Sequence, residues 1–127
     1  MKKILKITVS IFIILFLIAI GGGLFITRGL ESGINLIVND VNLSSLSDGV
    51  YNGKYNAGRW SNEMNITIKE QKIIKIDVVK DVFFSKPEVT KALLSKVLEK
   101  QNTNVDVISG ATVTSKAYLK AIENSLK

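Results

Sequence analysis

The 127-residue chain contains no cysteine and no histidine, and only one proline and one tryptophan. Without cysteine there are no disulfides, thiol nucleophiles or thiolate-held iron–sulfur clusters. Without histidine as well, the usual zinc sites and histidine-ligated haem go too. The same absences remove the thiol and imidazole side chains that could bond a cofactor covalently. Redox chemistry in this chain therefore needs an organic cofactor, and a covalent tether to it has to run through a hydroxyl. The longest stretch without charge lies near the N-terminus. From Ile7 to Thr27 no residue is charged, a run that as a helix measures about 31 Å, the thickness of a bilayer's hydrocarbon core.

Lys2, Lys3 and Lys6 precede this run, and Arg28 and Glu31 follow it and nearly cancel. The positive-inside rule predicts a single-pass anchor with Met1 in the cytoplasm and the rest of the chain extracytoplasmic. A cleaved signal peptide is the competing reading, because Ala19-Ile20-Gly21 resembles a small-x-small site. Leu24-Phe25-Ile26 carry the apolar run beyond it and favour the uncleaved anchor. Either way the domain is exported. The net charge of +6 looks like a nucleic-acid footprint until it is divided along the chain. Residues 29–127 hold 13 of the 17 Lys and Arg against all 11 Asp and Glu, so much of the basicity is a topology signal and no nucleic-acid partner is expected.

The remaining chain divides into a membrane-proximal linker over 29–47, after the anchor at 1–28, and one domain over 48–127. Turn residues bracket a short entry strand around Val50–Tyr55. Met64–Lys69 and Ile74–Val78 alternate apolar and polar residues with period two about Glu70-Gln71-Lys72, which predicts an antiparallel hairpin. Pro87 sits where a first helical residue belongs, and Val89, Leu93, Leu94, Val97 and Leu98 recur at helical spacing. Asn104–Ile108 reads as a short strand, and Val113–Leu126 as a second helix. The expected fold is α+β: a small antiparallel sheet with two packed helices, preceded by one transmembrane helix.

Small residues and hydroxyls gather at the start of that last helix, in Asp106-Val107-Ile108-Ser109-Gly110-Ala111-Thr112-Val113-Thr114-Ser115. A helix's first turn offers unpaired N–H groups and the positive end of its dipole, so an anion, above all a phosphate, gains hydrogen bonds and field there. Gly110 and Ala111 allow close approach, Thr114 and Ser115 add hydroxyls, Lys116 adds a cation, and Asp106 is placed to orient the turn through backbone N–H groups. On the residues alone, a plain helix cap by Ser109 or Thr112, with Gly110 making the turn, is the favoured account of the segment.

Asp106-x-x-Ser109-Gly110-Ala111-Thr112, with Val113-Thr114-Ser115 after it, resembles the flavinylation signature of the FMN-binding domain family. That family includes the flavin-bearing C and G subunits of the sodium-translocating NADH:quinone reductase and Rnf complexes. Asp48-Gly49-Val50-Tyr51-Asn52-Gly53 is similar to the family's opening motif, so the resemblance spans residues 48–127. It implies FMN as cofactor, joined through its phosphate to Thr112 by a magnesium-dependent flavin transferase that takes FMN from FAD. It implies an electron carrier rather than an independent enzyme, with a membrane redox donor such as a quinol or NADH oxidoreductase. Tyr51, Tyr55 and Trp60 are the aromatic residues available to stack on the ring, and Lys54, Arg59 and Lys80 the cations available to stabilise its reduced form. An anchored binding module without covalent flavin is the alternative.

Overall fold

A computed structural model describes all of residues 1–127. The uncharged run lies within α1 (Lys2–Thr27), which has no buried residue anywhere along it. It is one helix long and apolar enough to cross a membrane. Gly29, left-handed at φ 85°, breaks α1 from the short α2 (Leu30–Ile34).

The sheet has three antiparallel strands in chain order, β1 (Gly49–Tyr55), β2 (Asn62–Lys69) and β3 (Lys72–Lys80). Ile66, at the centre of β2, faces Tyr51 on one side and Ile76 on the other. Period-two alternation explains which face is covered. Asn62, Met64, Ile66 and Ile68 are buried, while Glu63, Asn65 and Thr67 between them stay half-exposed. Against the buried face lie α3 (Pro87–Lys100), through Leu93 and Val97, and α4 (Thr112–Ser125), through Ala117, Tyr118, Ala121 and Ile122. The fold is the expected α+β arrangement of antiparallel sheet and two packed helices. Gly53 sets the spacing between β1 and α4, because a β-carbon there would strike the Ala121 carbonyl and the Ser125 amide.

The expected strand over Asn104–Ile108 does not form; the segment has no regular structure and pairs with no strand. Its apolar side chains, Val105 and Ile108, pack onto the core instead, and its polar groups bond elsewhere. Lys96 Nζ donates to the Asp106 carbonyl at 3.4 Å, and the Ile108 N–H donates to Ser115 Oγ at 3.1 Å. The sheet edge that a fourth strand at this point would use is partly taken by a side chain. The Gln101 amide exchanges two hydrogen bonds with the backbone of Ile73, at 2.6 and 2.9 Å, much as a neighbouring strand would.

Residues 34–39 are strapped along α4. Lys116 Nζ donates to the Ile34 carbonyl at 2.7 Å, Lys120 Nζ to the Ile37 carbonyl at 3.2 Å, and the Asn39 N–H to Glu123 Oε1 at 2.5 Å. Glu123 is buried. Burial pushes its carboxyl up, but the hydrogen bonds from Lys120 and Asn39 and the charges of Lys120 and Lys127 outweigh that and hold it below the ordinary glutamate value.

Candidate functional site

The turn that leads into α4 is built by two residues with different tasks. Ile108 to Ala111 close a tight turn through an Ala111 N–H to Ile108 carbonyl bond of 2.9 Å. Gly110, third in that turn, has φ 78°, which an L side chain rarely adopts and glycine adopts freely. Ser115, fully buried, accepts the Ile108 N–H and so holds the turn from one helical turn further on. That bond to the turn comes from Ser115 and not from Asp106, whose side chain is exposed.

Beyond the turn, Thr112 is the first residue of α4 and is exposed. No side chain caps the helix, and no acidic residue lies in its first turn. The first intrahelical bond is donated by Ser115 to Ala111, so the N–H groups of Thr112, Val113 and Thr114 are left without partners. The Thr112 hydroxyl thus stands in an uncapped mouth with three free donors and the positive end of a 14-residue helix dipole behind it.

Two clefts flank this mouth. One, of 340 Å³, is lined by Arg59, Phe84, Lys86, Val89, Ser109, Gly110, Ala111 and Thr114. The other, of 500 Å³, runs past Leu30, Ile34, Arg59, Trp60 and Gly110 to Thr114. Arg59 borders both. Its guanidinium lies 3.9 Å from the centre of the Trp60 ring and 5.6 Å from that of Phe84, and it pairs with no carboxylate. Both volumes fall in the range of small-molecule sites.

The structure brings together Ser109, Gly110, Ala111, Thr112, Thr114, Trp60 and Arg59. Lys116 is on the same helix, but its ammonium is engaged with the Ile34 carbonyl. Asp106 lies in a separate groove with Lys96, Glu99 and Lys100. Tyr51 and Tyr55 line neither cleft; both pack against the core from β1, and Tyr51 donates its hydroxyl to the Ser47 carbonyl at 2.7 Å. Lys54 forms a 3.9 Å ion pair with Glu63 on the sheet. Phe84, Lys86 and Val89 were not expected at the site. The signal for them was weak: two adjacent aromatics and a lysine just ahead of Pro87.

A small α+β module that presents an uncapped helix start, a hydroxyl and a cation-bordered cleft has the form of a binding module for a phosphate-bearing cofactor. The comparison with known families makes this specific, since the family described as FMN-binding domain matches residues 59–127. The chain belongs to that family, and its cofactor is FMN. The match begins at Arg59, so the Asp48–Gly53 motif lies outside it.

Proposed function

We propose that this protein is a membrane-anchored electron carrier whose domain lies on the extracytoplasmic side and holds FMN covalently, its phosphate esterified to Thr112 Oγ1. The observation that carries the reading is the exposed Thr112 hydroxyl at an uncapped helix mouth with three free N–H donors. These donors and the helix dipole suit a phosphoester, which keeps negative charge after the bond has formed. In the attachment step a flavin transferase acts on FAD. Thr112 Oγ1 bonds to the FMN phosphorus and loses its proton as the pyrophosphate bridge breaks and AMP leaves.

Ser109, Gly110, Ala111 and Thr114 shape and line the phosphate's surroundings. Ser115 holds the turn in place, and Lys116 adds positive charge along the same helix. Asp106, exposed on the mature chain, is free to be read by the transferase. Bound FMN supplies a redox centre able to take electrons in pairs or singly. Arg59 and Phe84 border the space for its ring, with Trp60 under the guanidinium, and Arg59 stabilises negative charge on the reduced form. The electron donor fits a membrane quinol or NADH oxidoreductase, because the carrier is held beside the bilayer.

Intact-mass analysis after co-expression with an active flavin transferase tests this. Wild-type chain gains the mass of FMN less one water, and Thr112→Val does not. Yellow protein whose flavin leaves on denaturation would instead establish an anchored module that binds FMN without a covalent bond.

A further inference from the structure

All five phenylalanines of the chain lie either on α1 (Phe12, Phe16, Phe25) or side by side at Phe83-Phe84. The domain buries its tryptophan and Tyr118 almost completely, yet it leaves Phe83 57% and Phe84 68% exposed. Exposed aromatics on an otherwise polar loop mark a surface that meets something apolar.

We propose that Phe83 and Phe84, flanked by Lys80 and Lys86, are a second membrane contact beside α1, seated in the headgroup layer of the leaflet from which the domain projects. The proposal rests on α1 being a membrane anchor, and it puts the mouth of the flavin cleft at the lipid surface.

Depth is the first argument. The Phe83 ring meets Phe25 edge to face at 5.3 Å, and Arg59 Nε donates to the Ile26 carbonyl at 3.0 Å. Phe25 and Ile26 belong to the uncharged run that ends at Thr27, so the loop lies level with the end of that run. Aromatic rings concentrate at that level, where an apolar body and a wet boundary are both close. Chemistry is the second argument, since exposed Lys80 and Lys86 bracket the pair and suit anionic headgroups. The nearest acid, Asp81, is turned to other work: it accepts from the Tyr118 hydroxyl at 2.5 Å and from the Val82 N–H at 2.8 Å.

Backbone conformation is the third. Phe84 is held at φ 58°, a region that bulky side chains avoid. The loop is nevertheless fixed by buried Val82, by the Asp81 bonds and by a Phe83 N–H to Arg59 carbonyl bond of 2.9 Å. Strain kept in place by its surroundings points to a use for the displayed side chains.

Because the chain has no cysteine, single spin labels report depth without background. Full-length Ile18→Cys, Lys72→Cys, Phe83→Cys and Ser85→Cys would be labelled in nanodiscs of phosphatidylcholine and phosphatidylglycerol. Collision with oxygen, which enters lipid, would be compared with collision with a water-soluble nickel chelate. Ile18 reads as deep, and Lys72, the first residue of β3 and at the opposite end of that strand from the loop, as aqueous. The proposal expects oxygen-over-nickel ratios at Phe83 and Ser85 several-fold above that at Lys72, falling toward it when Phe84→Ser is added. Ratios equal to that of Lys72 would overturn it. So would shielding from both reagents, which means that protein covers the loop. An aqueous Ile18 would remove the anchor itself, whereas a deep Ile18 with an aqueous Phe83 removes only the seat. Flavin attachment is read separately, by mass, on the same samples.

Discussion

The two long helices of the domain have the same length, 14 residues, and opposite beginnings. At α3 the first residue is Pro87, which has no N–H, and the Val89 N–H already bonds to the Lys86 carbonyl at 3.0 Å. Glu88 supplies a negative charge in that first turn, so both the donors and the dipole of α3 are largely answered from within. At α4 three N–H groups and the dipole are left unanswered. A helix start open to an anion is therefore a local choice in this chain and not a general property of its helices, and it falls where the hydroxyl of Thr112 stands.

Removing the brace of the open mouth should have the largest effect on this contrast, since it touches both folding and flavin loading. Ser115→Ala leaves the part-buried Ile108 N–H without its partner, and chemical denaturation should show a loss of about 1 kcal/mol, with slower flavin loading. Making α4 begin as α3 does is the next step. Thr114→Glu puts a carboxylate in the first turn of α4, and titration of the unmodified chain should show FMN binding about tenfold more weakly, close to 1.4 kcal/mol. Thermal stability of the same variant should hold or rise slightly, since the charge suits the dipole.

A third prediction sets the two ends of α4 against each other by pH. Glu123, near the far end, has its carboxyl held low in the folded chain, so its stabilisation is full at neutral pH and is lost as pH falls through that depressed value. Melting temperatures measured downward from neutrality should fall less steeply in Glu123→Gln than in the wild type, while Thr112→Val should leave the slope unchanged. The smallest effect is expected at α3. Glu88→Gln should cost less than about 1 kcal/mol in a denaturant melt and leave flavin occupancy by absorbance where it was.

Much of this architecture could be read from the chain because it rests on local pattern. The hairpin follows from the alternation through Met64–Lys69 and Ile74–Val78, and α3 from Pro87 and its apolar spacing. The turn before Thr112 was visible as a cluster of small residues next to hydroxyls. What escaped was set by contacts distant in sequence. Val105 and Ile108 have strand-forming side chains, but whether they pair or bury depends on where α3 and α4 leave space. Tyr51 and Tyr55 have the chemistry to meet a flavin ring, yet β1 carries them to the core. Phe84, Lys86 and Val89 reach the cleft only because their segment folds back beside Arg59. The two-task division at the turn was also hidden, since Gly110 makes the turn locally while Ser115 holds it by a bond to Ile108 seven residues away.

The bond from Arg59 to the Ile26 carbonyl, with Gly58 pressed against Arg28, bears on how this molecule finds others. A domain on a long flexible leash samples a volume and turns freely within it, but one seated on the last turn of its own span does neither. With α1 across a bilayer, as proposed above, lateral diffusion would carry the cleft over the lipid at one height and one attitude. Collisions become a search over an area, and only molecules that present themselves at that height meet the cleft.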